Sequence, residues 1–399
     1  MGALVHDQSL ALSEWDMTRL RSRPAGQQPP WPEERARELR TRLAGLAGLV
    51  TTDEVARLRK VLAEVAAGRR LVVQAGDCAE PFAECTPPRV ARKVALLYRL
   101  AAALTATTDL PVVRVGRLAG QFAKPRSRPT ETVDGVVLPV YRGDLVNDPS
   151  PAAAARRAEP ARLLTGYYAA RTATEYLREH APEVWTSHEA LVLDYEIPLL
   201  RRDGSGLLLG STHWPWLGDR TRDLDGAHVA LLASVVNPVA CKVGPGIEVD
   251  QLLALCERLD PHREPGRLTL VARLGADRVA TRLPALVAAV GSAGHPVIWL
   301  CDPMHGNTVT GPDGRKTRVV DTILRETAEF QAAVRAVGGV SGGLHLETTP
   351  DPVGECVWED APTGRFTSLC DPRLNPGQAL AVVRSWAAAT TIREEKSIA

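Results

Sequence analysis

The segment Pro296–Thr308, PVIWLCDPMHGNT, changes character in its middle. Val297–Cys301 is a short apolar run rich in strand formers, and it gives way at once to Asp302, Pro303, His305, Gly306 and Asn307. A buried strand that runs straight into a polar loop bent by Gly and Pro is the pattern of a strand feeding a site. Parallel α/β folds keep their chemistry at the carboxyl ends of their strands. His305 therefore stands where a metal ligand or a general base is useful. Its plainer role is a loop cap that hydrogen-bonds backbone.

Outward from this segment the same rhythm recurs from residue 69 onward. Apolar runs appear at Leu71–Gln74, Val112–Val115, Leu191–Tyr195, Leu207–Leu209 (continuing toward Trp216), Val239–Val243, Leu268–Ala272, Val297–Cys301 and Leu344–Leu346. Amphipathic stretches that read as helices lie between them, at Arg89–Thr105, Arg162–Glu179, Val249–Leu259, Arg278–Val290 and Asp321–Val337. Eight such units with no second compositional regime predict an α/β chain folded as a (β/α)8 TIM barrel. A doubly wound open sheet is the alternative, but no GxGxxG follows any run. The fourth unit is the weakest, with a short connection before it and a Trp-rich run after it.

Upstream, residues 1–30 read as irregular, broken by Pro24, Pro29 and Pro30. Pro32–Leu49 reads as a helix. A second helix is capped by Thr52 or Asp53, carries Val55, Leu58, Leu62 and Val65 on one face, and stops at Gly68. The expected organisation is an N-terminal helical extension (1–68), the barrel (69–385) and a C-terminal tail (386–399).

With 399 residues, a formal charge of +1 and a pI near 7.7, the chain has room for one large decorated α/β domain or for two domains. That balance argues against a nucleic-acid binder, which shows a basic patch or stripe. No run reaches the roughly eighteen apolar residues of a membrane span. The N-terminus, MGALVHDQSLALSEWD, lacks the apolar core of a signal peptide. Seven scattered cysteines suit free thiols in a reducing, cytoplasmic setting.

Reactive or anion-binding residues follow nearly every run. One group, Cys78, His305, Glu347 and Asp371, offers sulfur, nitrogen and two carboxylates, a donor set suited to Mn²⁺, Co²⁺, Fe²⁺ or Zn²⁺. Taken singly, each has an ordinary reading: a buried thiol, a loop cap, a solvated acid. The other group is cationic: Arg117, Lys124, Arg126, Arg220, Lys242, Arg273 and Lys316. A buried cation needs a partner, and too few acids stand at the same strand ends to pair them all. Phosphate or carboxylate ligands are therefore expected, held by Arg forks and Lys point charges.

These residues lie in longer motifs: QAGDCAE (74–80), GRLAGQFAKPRS (116–127), YRGD (141–144), SHEALVLDYE (187–196), DRTRDLDGAH (219–228), NPVACKVGP (237–245), RLTLVARLG (267–275), CDPMHGNT (301–308) and CDPRLN (370–375). Together they make the chain, over roughly Val72–Leu380, resemble the type II (plant-like) 3-deoxy-D-arabino-heptulosonate 7-phosphate (DAHP) synthases. The resemblance implies a (β/α)8 barrel that condenses phosphoenolpyruvate (PEP) with erythrose 4-phosphate in the first step of the shikimate pathway. It implies Cys78, His305, Glu347 and Asp371 as metal ligands, with Mn²⁺ or Co²⁺ foremost and Fe²⁺, Zn²⁺ or Mg²⁺ as further candidates. It places PEP on Arg117, Lys124, Arg220, Lys242 and Arg273, and the aldose phosphate on Arg126, Ser127 and Lys316. Lys242, Arg117 and Asp219 become the catalytic candidates. Asp219 departs from the family pattern, which has Glu before the Arg. The family also implies a homodimer and a chorismate mutase as candidate partner.

The stretch Asp144–Ser187 is short and lacks the helical pair that larger members use for aromatic feedback, which favours a role in secondary metabolism such as phenazine-type synthesis. Two rivals remain. One is an amino-DAHP synthase acting on an imino-aldose. The other is a catalytically silent barrel that binds another pathway enzyme. Because Asp371 neighbours Cys370, a shared ion at Cys78 and Asp371 also predicts a Cys78–Cys370 disulfide once that ion is removed.

Overall fold

A computed structural model describes residues 10–11, 18, 20–133, 135–358 and 364–395. Most of the expected irregular leader, and residues 396–399 of the expected tail, lie outside them. Eight strands close into a parallel barrel: β1 (Leu71–Gly76), β2 (Val112–Arg117), β3 (Val184–Glu189), β4 (Trp214–Leu217), β5 (Val239–Val243), β6 (Leu268–Ala272), β7 (Ile298–Cys301) and β8 (Ser341–Glu347). Each pairs with its sequence neighbour, and β8 closes on β1 with His345 opposite Gln74 and Glu347 opposite Gly76. The (β/α)8 expectation is met.

Two runs were misplaced. Leu191–Tyr195 is loop and the start of a one-turn helix, Leu193–Glu196; the third strand is Val184–Glu189. Its sequence, VWTSHE, hides from a hydrophobicity reading because Ser187 meets Gln74 inside the barrel and Glu189 faces the carboxyl end. Leu207–Leu209 belongs to a separate antiparallel sheet, pairing with Leu200–Asp203, which in turn pairs with Leu10–Ala11. The fourth barrel strand is the Trp-rich stretch itself, WPWL.

The helices follow the periodicity. Glu33–Ala44 forms α1, shorter than read because Gly45 and Gly48 follow it. Thr52–Ala66 forms α2, capped one residue earlier than expected by Thr51, which shares a reciprocal capping box with Glu54. Leu58, Leu62 and Val65 of α2 pack against Val72, Val113, Trp214, Val271 and Ile298, so this helix seals the amino end of the barrel. Around the strands run α3 (Pro87–Thr108), α4 (Arg162–His180), α5 (Ala227–Ser234), α6 (Val249–Leu259), α7 (Val279–Ser292), α8 (Val320–Ala336) and α9 (Pro376–Glu395). The apolar layer between strands and helices leaves the carboxyl ends of the strands free to present polar side chains. Two short strand pairs, Thr130–Val133 with Val136–Pro139 and Val309–Thr310 with Lys316–Thr317, follow the carboxyl ends of β2 and β7 in the chain.

Candidate active site

A cleft of about 400 Å³ opens at the carboxyl ends of the strands. It is lined by Cys78, Arg117, Lys124, Arg126, Ser127, Asp219, Arg220, Lys242, Arg273, His305, Lys316 and Asp371. Of the candidate metal-ligand, substrate-binding and catalytic residues, only Glu347 is not part of its wall; it lies fully buried at the end of β8. The chain must turn hard where β1 ends. Gly76 adopts φ +153°, and a Cβ there would meet the Arg117 carbonyl oxygen at 2.6 Å. That turn delivers Cys78 to the floor.

Cys78, Glu347 and Asp371 bring their ligand atoms within 4.8 Å of one another. His305 stands beside this group, with Nε2 3.0 Å from Glu347 Oε1. Its Nδ1 lies 2.8 Å from Asp302 Oδ2, so that carboxylate accepts from Nδ1–H and turns the ring with Nε2 toward the cage. Lys124 Nζ sits among the three, 2.5 Å from Cys78 Sγ, 3.5 Å from Glu347 and paired with Asp371. A cage that draws in an ammonium group in this way attracts positive charge, and its sulfur, nitrogen and carboxylate donors fit a first-row divalent ion. Burial, then hydrogen bonding with Cys370 and the charge of Glu347, pushes the Cys78 thiol up. Coordination to a divalent ion would remove that proton outright.

The cations do not stand unpaired, contrary to the sequence expectation. Lys242 Nζ lies 2.5 Å from Asp302, Arg273 3.1 Å from Asp219, Arg117 3.1 Å from Glu347, Lys316 2.7 Å from Asp371 and Arg126 3.1 Å from Glu131. The acids come mostly from other strand ends and loops, so counting those at the same strand end underestimates them. Among the described residues Arg220 has no carboxylate within 4 Å; it donates to Ser127 Oγ at 2.6 Å. Burial outweighs Asp302 at Lys242 and brings its ammonium down to about 8. Burial alone would raise the Asp302 carboxyl, but His305 and Lys242 hold it well below the usual carboxylate range.

Several residues of the site were given no role in the sequence reading. His345 lies two positions before Glu347, on the same face of β8. Its Nδ1 donates to Gln74 Oε1 at 2.6 Å and its Nε2 accepts from Arg117 at 2.5 Å. Burial, then Lys242 and Arg117, holds the imidazole well below its usual range, hence neutral, which this acceptor role requires. Arg117 also stacks 5.3 Å from the Trp216 ring. Arg318, two residues after Lys316, is fully buried and grips Glu347 Oε2 at 2.7 Å. The even spacing of these residues along their strands was the available signal.

Glu189, at the end of β3, is the clearest omission. It lines the cleft, and its Oε1 has no hydrogen-bond partner. Gly218 makes room for it, since a Cβ at 218 would collide with that oxygen. Burial raises the carboxyl from 4.5 to about 7, against the pull of Lys242, Lys124 and Arg117. A partnerless carboxyl poised near neutrality in a cationic cleft is equipped to accept a proton.

The chain matches the Class-II DAHP synthetase family over residues 15–182 and 179–387. It is 54% identical, over 91% of its own length and 94% of the relative's, to a probable phospho-2-dehydro-3-deoxyheptonate aldolase of Pseudomonas fluorescens. It is 37% identical to the phospho-2-dehydro-3-deoxyheptonate aldolase of Mycolicibacterium smegmatis, over 90% and 91% of the two chains. Among solved structures, a phospho-2-dehydro-3-deoxyheptonate aldolase from Francisella tularensis aligns with a TM-score of 0.54 at 14% identity, covering 93% and 99%, a likeness of fold. No helix among the described residues is long and apolar enough to cross a membrane. With the cleft, its cations and its thiol–carboxylate cluster gathered at the end of the barrel that the motifs mark, this chain belongs to the class-II DAHP synthase family.

Proposed function

We propose that the protein condenses PEP with erythrose 4-phosphate and water to give DAHP and inorganic phosphate, the first step of the shikimate pathway, in the cytoplasm. The observation that carries this reading is the convergence of a metal cage and a cationic wall on one cleft. PEP brings a phosphate and a carboxylate, and the aldose a second phosphate, so one pocket must hold three anionic groups. Arg117, Lys124, Arg220, Lys242 and Arg273 are the PEP candidates. Arg220 has no acid to leave, so its fork is available to an oxyanion directly. Arg126, Ser127 and Lys316 are the candidates for the aldose phosphate at the rim.

Cys78, His305, Glu347 and Asp371 would hold a divalent ion, Mn²⁺ or Co²⁺ first among the candidates. When bound, the ion supplies Lewis-acid polarisation of the aldehyde oxygen. The chain's own residues do the rest. Arg117, fixed by His345, Glu347 and the Asp77 carbonyl, sets the orientation of PEP. The PEP methylene carbon then bonds to the aldehyde carbon, whose oxygen takes its proton at the last step. Water bonds to the PEP carbon that bears the phosphate ester, and Glu189 Oε1 takes the water's proton. The C–O bond to phosphate breaks as the hemiketal hydroxyl gives its proton to the oxygen of the former aldehyde and Glu189 returns its proton to the departing phosphate, leaving the ketone of DAHP. Holding both substrates in register contributes the entropic share of the rate.

The test is phosphate release from PEP with and without erythrose 4-phosphate, after EDTA treatment and after metal add-back. Release that requires the aldose and the metal is expected. Release that ignores either overturns the reading, and turnover of an imino-aldose phosphate in preference to erythrose 4-phosphate would move the assignment to amino-DAHP synthesis.

A further inference from the structure

We propose that a chain of five buried, alternating charges beneath the cleft, Glu80–Lys93–Asp77–Arg373–Glu355, positions Cys78 and Asp371 for a divalent ion. This rests on the metal reading given above. Cys78 and Asp371 come from separate loops, after β1 and after β8, and meet directly only where Asp371 N–H donates to Cys78 Sγ at 3.3 Å, a weak bond that needs a firmer hold on the distance. Their neighbours supply it. Asp77 precedes Cys78, and Arg373 lies two residues beyond Asp371. Arg373 Nη1 donates to Asp77 Oδ1 at 2.6 Å.

Each end of that link is itself held. Asp77 Oδ2 is 2.7 Å from Lys93 Nζ on α3, which also reaches Glu80 Oε1 at 2.9 Å. Glu355 accepts from Arg373 N, Nε and Nη2, and from the backbone N–H groups of Thr367 and Ser368. The Ser368 hydroxyl returns a bond to the Asp371 carbonyl at 2.6 Å. Glu355 thus ties down the loop that carries Asp371, and Arg373 joins that loop to the one that carries Cys78. All five residues are buried, and none lines the cleft. They act through the ligands and not on substrate, which makes them positioning residues.

Stability alone is a poor reason for such a cluster. A buried ion network is often no better for stability than apolar packing of the same volume. What it does supply is angular definition, because the planar Arg fork fixes direction as well as distance.

The experiment is cobalt(II) titration of the metal-stripped full-length chain, read by the near-ultraviolet thiolate-to-cobalt band, with thermal melts of each variant. Arg373→Lys keeps the charge and loses the fork. Thr367→Val removes one hydroxyl that accepts from Arg373 Nη2 at 2.6 Å. Leu259→Ala, in the core at the end of α6, controls for lost stability. We expect at least tenfold weaker cobalt binding with a shifted band for Arg373→Lys, about threefold weaker for Thr367→Val, and unchanged binding for Leu259→Ala. Wild-type protein without a thiolate band would overturn the metal reading itself. A normal wild-type band with unaltered binding in Thr367→Val and in any folded Arg373→Lys would overturn the brace alone. So would equal weakening by Leu259→Ala. If Arg373→Lys does not fold, Thr367→Val decides.

Discussion

Glu189→Gln should make the metal-free protein more stable and the enzyme far slower. The Glu189 carboxyl is moved from 4.5 to about 7, chiefly by burial. At about 1.36 kcal/mol per pH unit that corresponds to about 3 kcal/mol. The carboxylate shares the water of the cleft, so about 1.5–3 kcal/mol is the working range. The folded chain binds this proton more tightly than the unfolded chain. The penalty is therefore absent below pH 4.5, grows as pH rises toward 7, and is complete above it. Glutamine has no such equilibrium, so its advantage should open between pH 5 and 7 and then level off. At about 2.1 cal/mol/K per residue, a chain of this length moves about 1.2 °C per kcal/mol, giving a gain of roughly 2–3.5 °C at pH 8. Loss of the proton acceptor should lower kcat by about 10²–10⁴. Melts across pH 5–8.5 and saturating phosphate-release assays measure the two effects. A gain in Tm that is flat with pH would refute the carboxyl argument, and a kcat within threefold of wild type would refute the catalytic one.

Lys242→Met should lower kcat/KM for PEP by at least about 30-fold and also lower Tm, because Asp302 stays buried with one cation fewer. Arg273→Ala should lose PEP affinity with little change in Tm, since Asp219 keeps Arg222 at 3.0 Å and lies near the mouth of the cleft; calorimetric PEP binding beside melts separates the two. Cys78→Ser and His305→Ala should abolish metal-dependent turnover, and full turnover of either in metal-stripped buffer would remove them from the ligand set. After EDTA and exposure to air, the free and contacting thiols of Cys78 and Cys370 should give two electrons and two protons to dioxygen and form a disulfide. Peptide mass mapping, with Cys370→Ser as control, reads this out, and activity returning on metal alone without reductant would contradict it. Phe, Tyr and Trp should not inhibit at micromolar concentration, because the chain between Asp144 and Ser187 carries a single long helix, α4; steady-state rates with each amino acid check this.

The barrel was legible because six of its strands are plain apolar runs, each ending where Gly, Pro or charge begins. The third strand was not, because its inward residues serve the cleft: Ser187 accepts from Gln74 at 2.7 Å and Glu189 faces the pocket. The fourth was obscured by Pro215, which a strand reading discounts, although it sits in register opposite His188. Every candidate site residue lies at one end of the barrel, since the motifs mark strand ends and the fold gathers strand ends together. The partners of the cations were illegible for a different reason. Lys242 meets Asp302 and Arg117 meets Glu347 from two strands away, and no local pattern announces either pair.

The helix that seals the amino end of the barrel also sets a clock. Leu58 and Leu62 are made early, but they pack against Val271 and Ile298, which leave the ribosome more than 200 residues later. At about 5–20 residues per second the apolar face of α2 waits roughly 10–45 s for its seat. β1 waits longer still for β8, its neighbour in the closed barrel. Until Glu347 arrives, the growing chain is an open sheet with two bare edges, the state most exposed to mispairing and to chaperones.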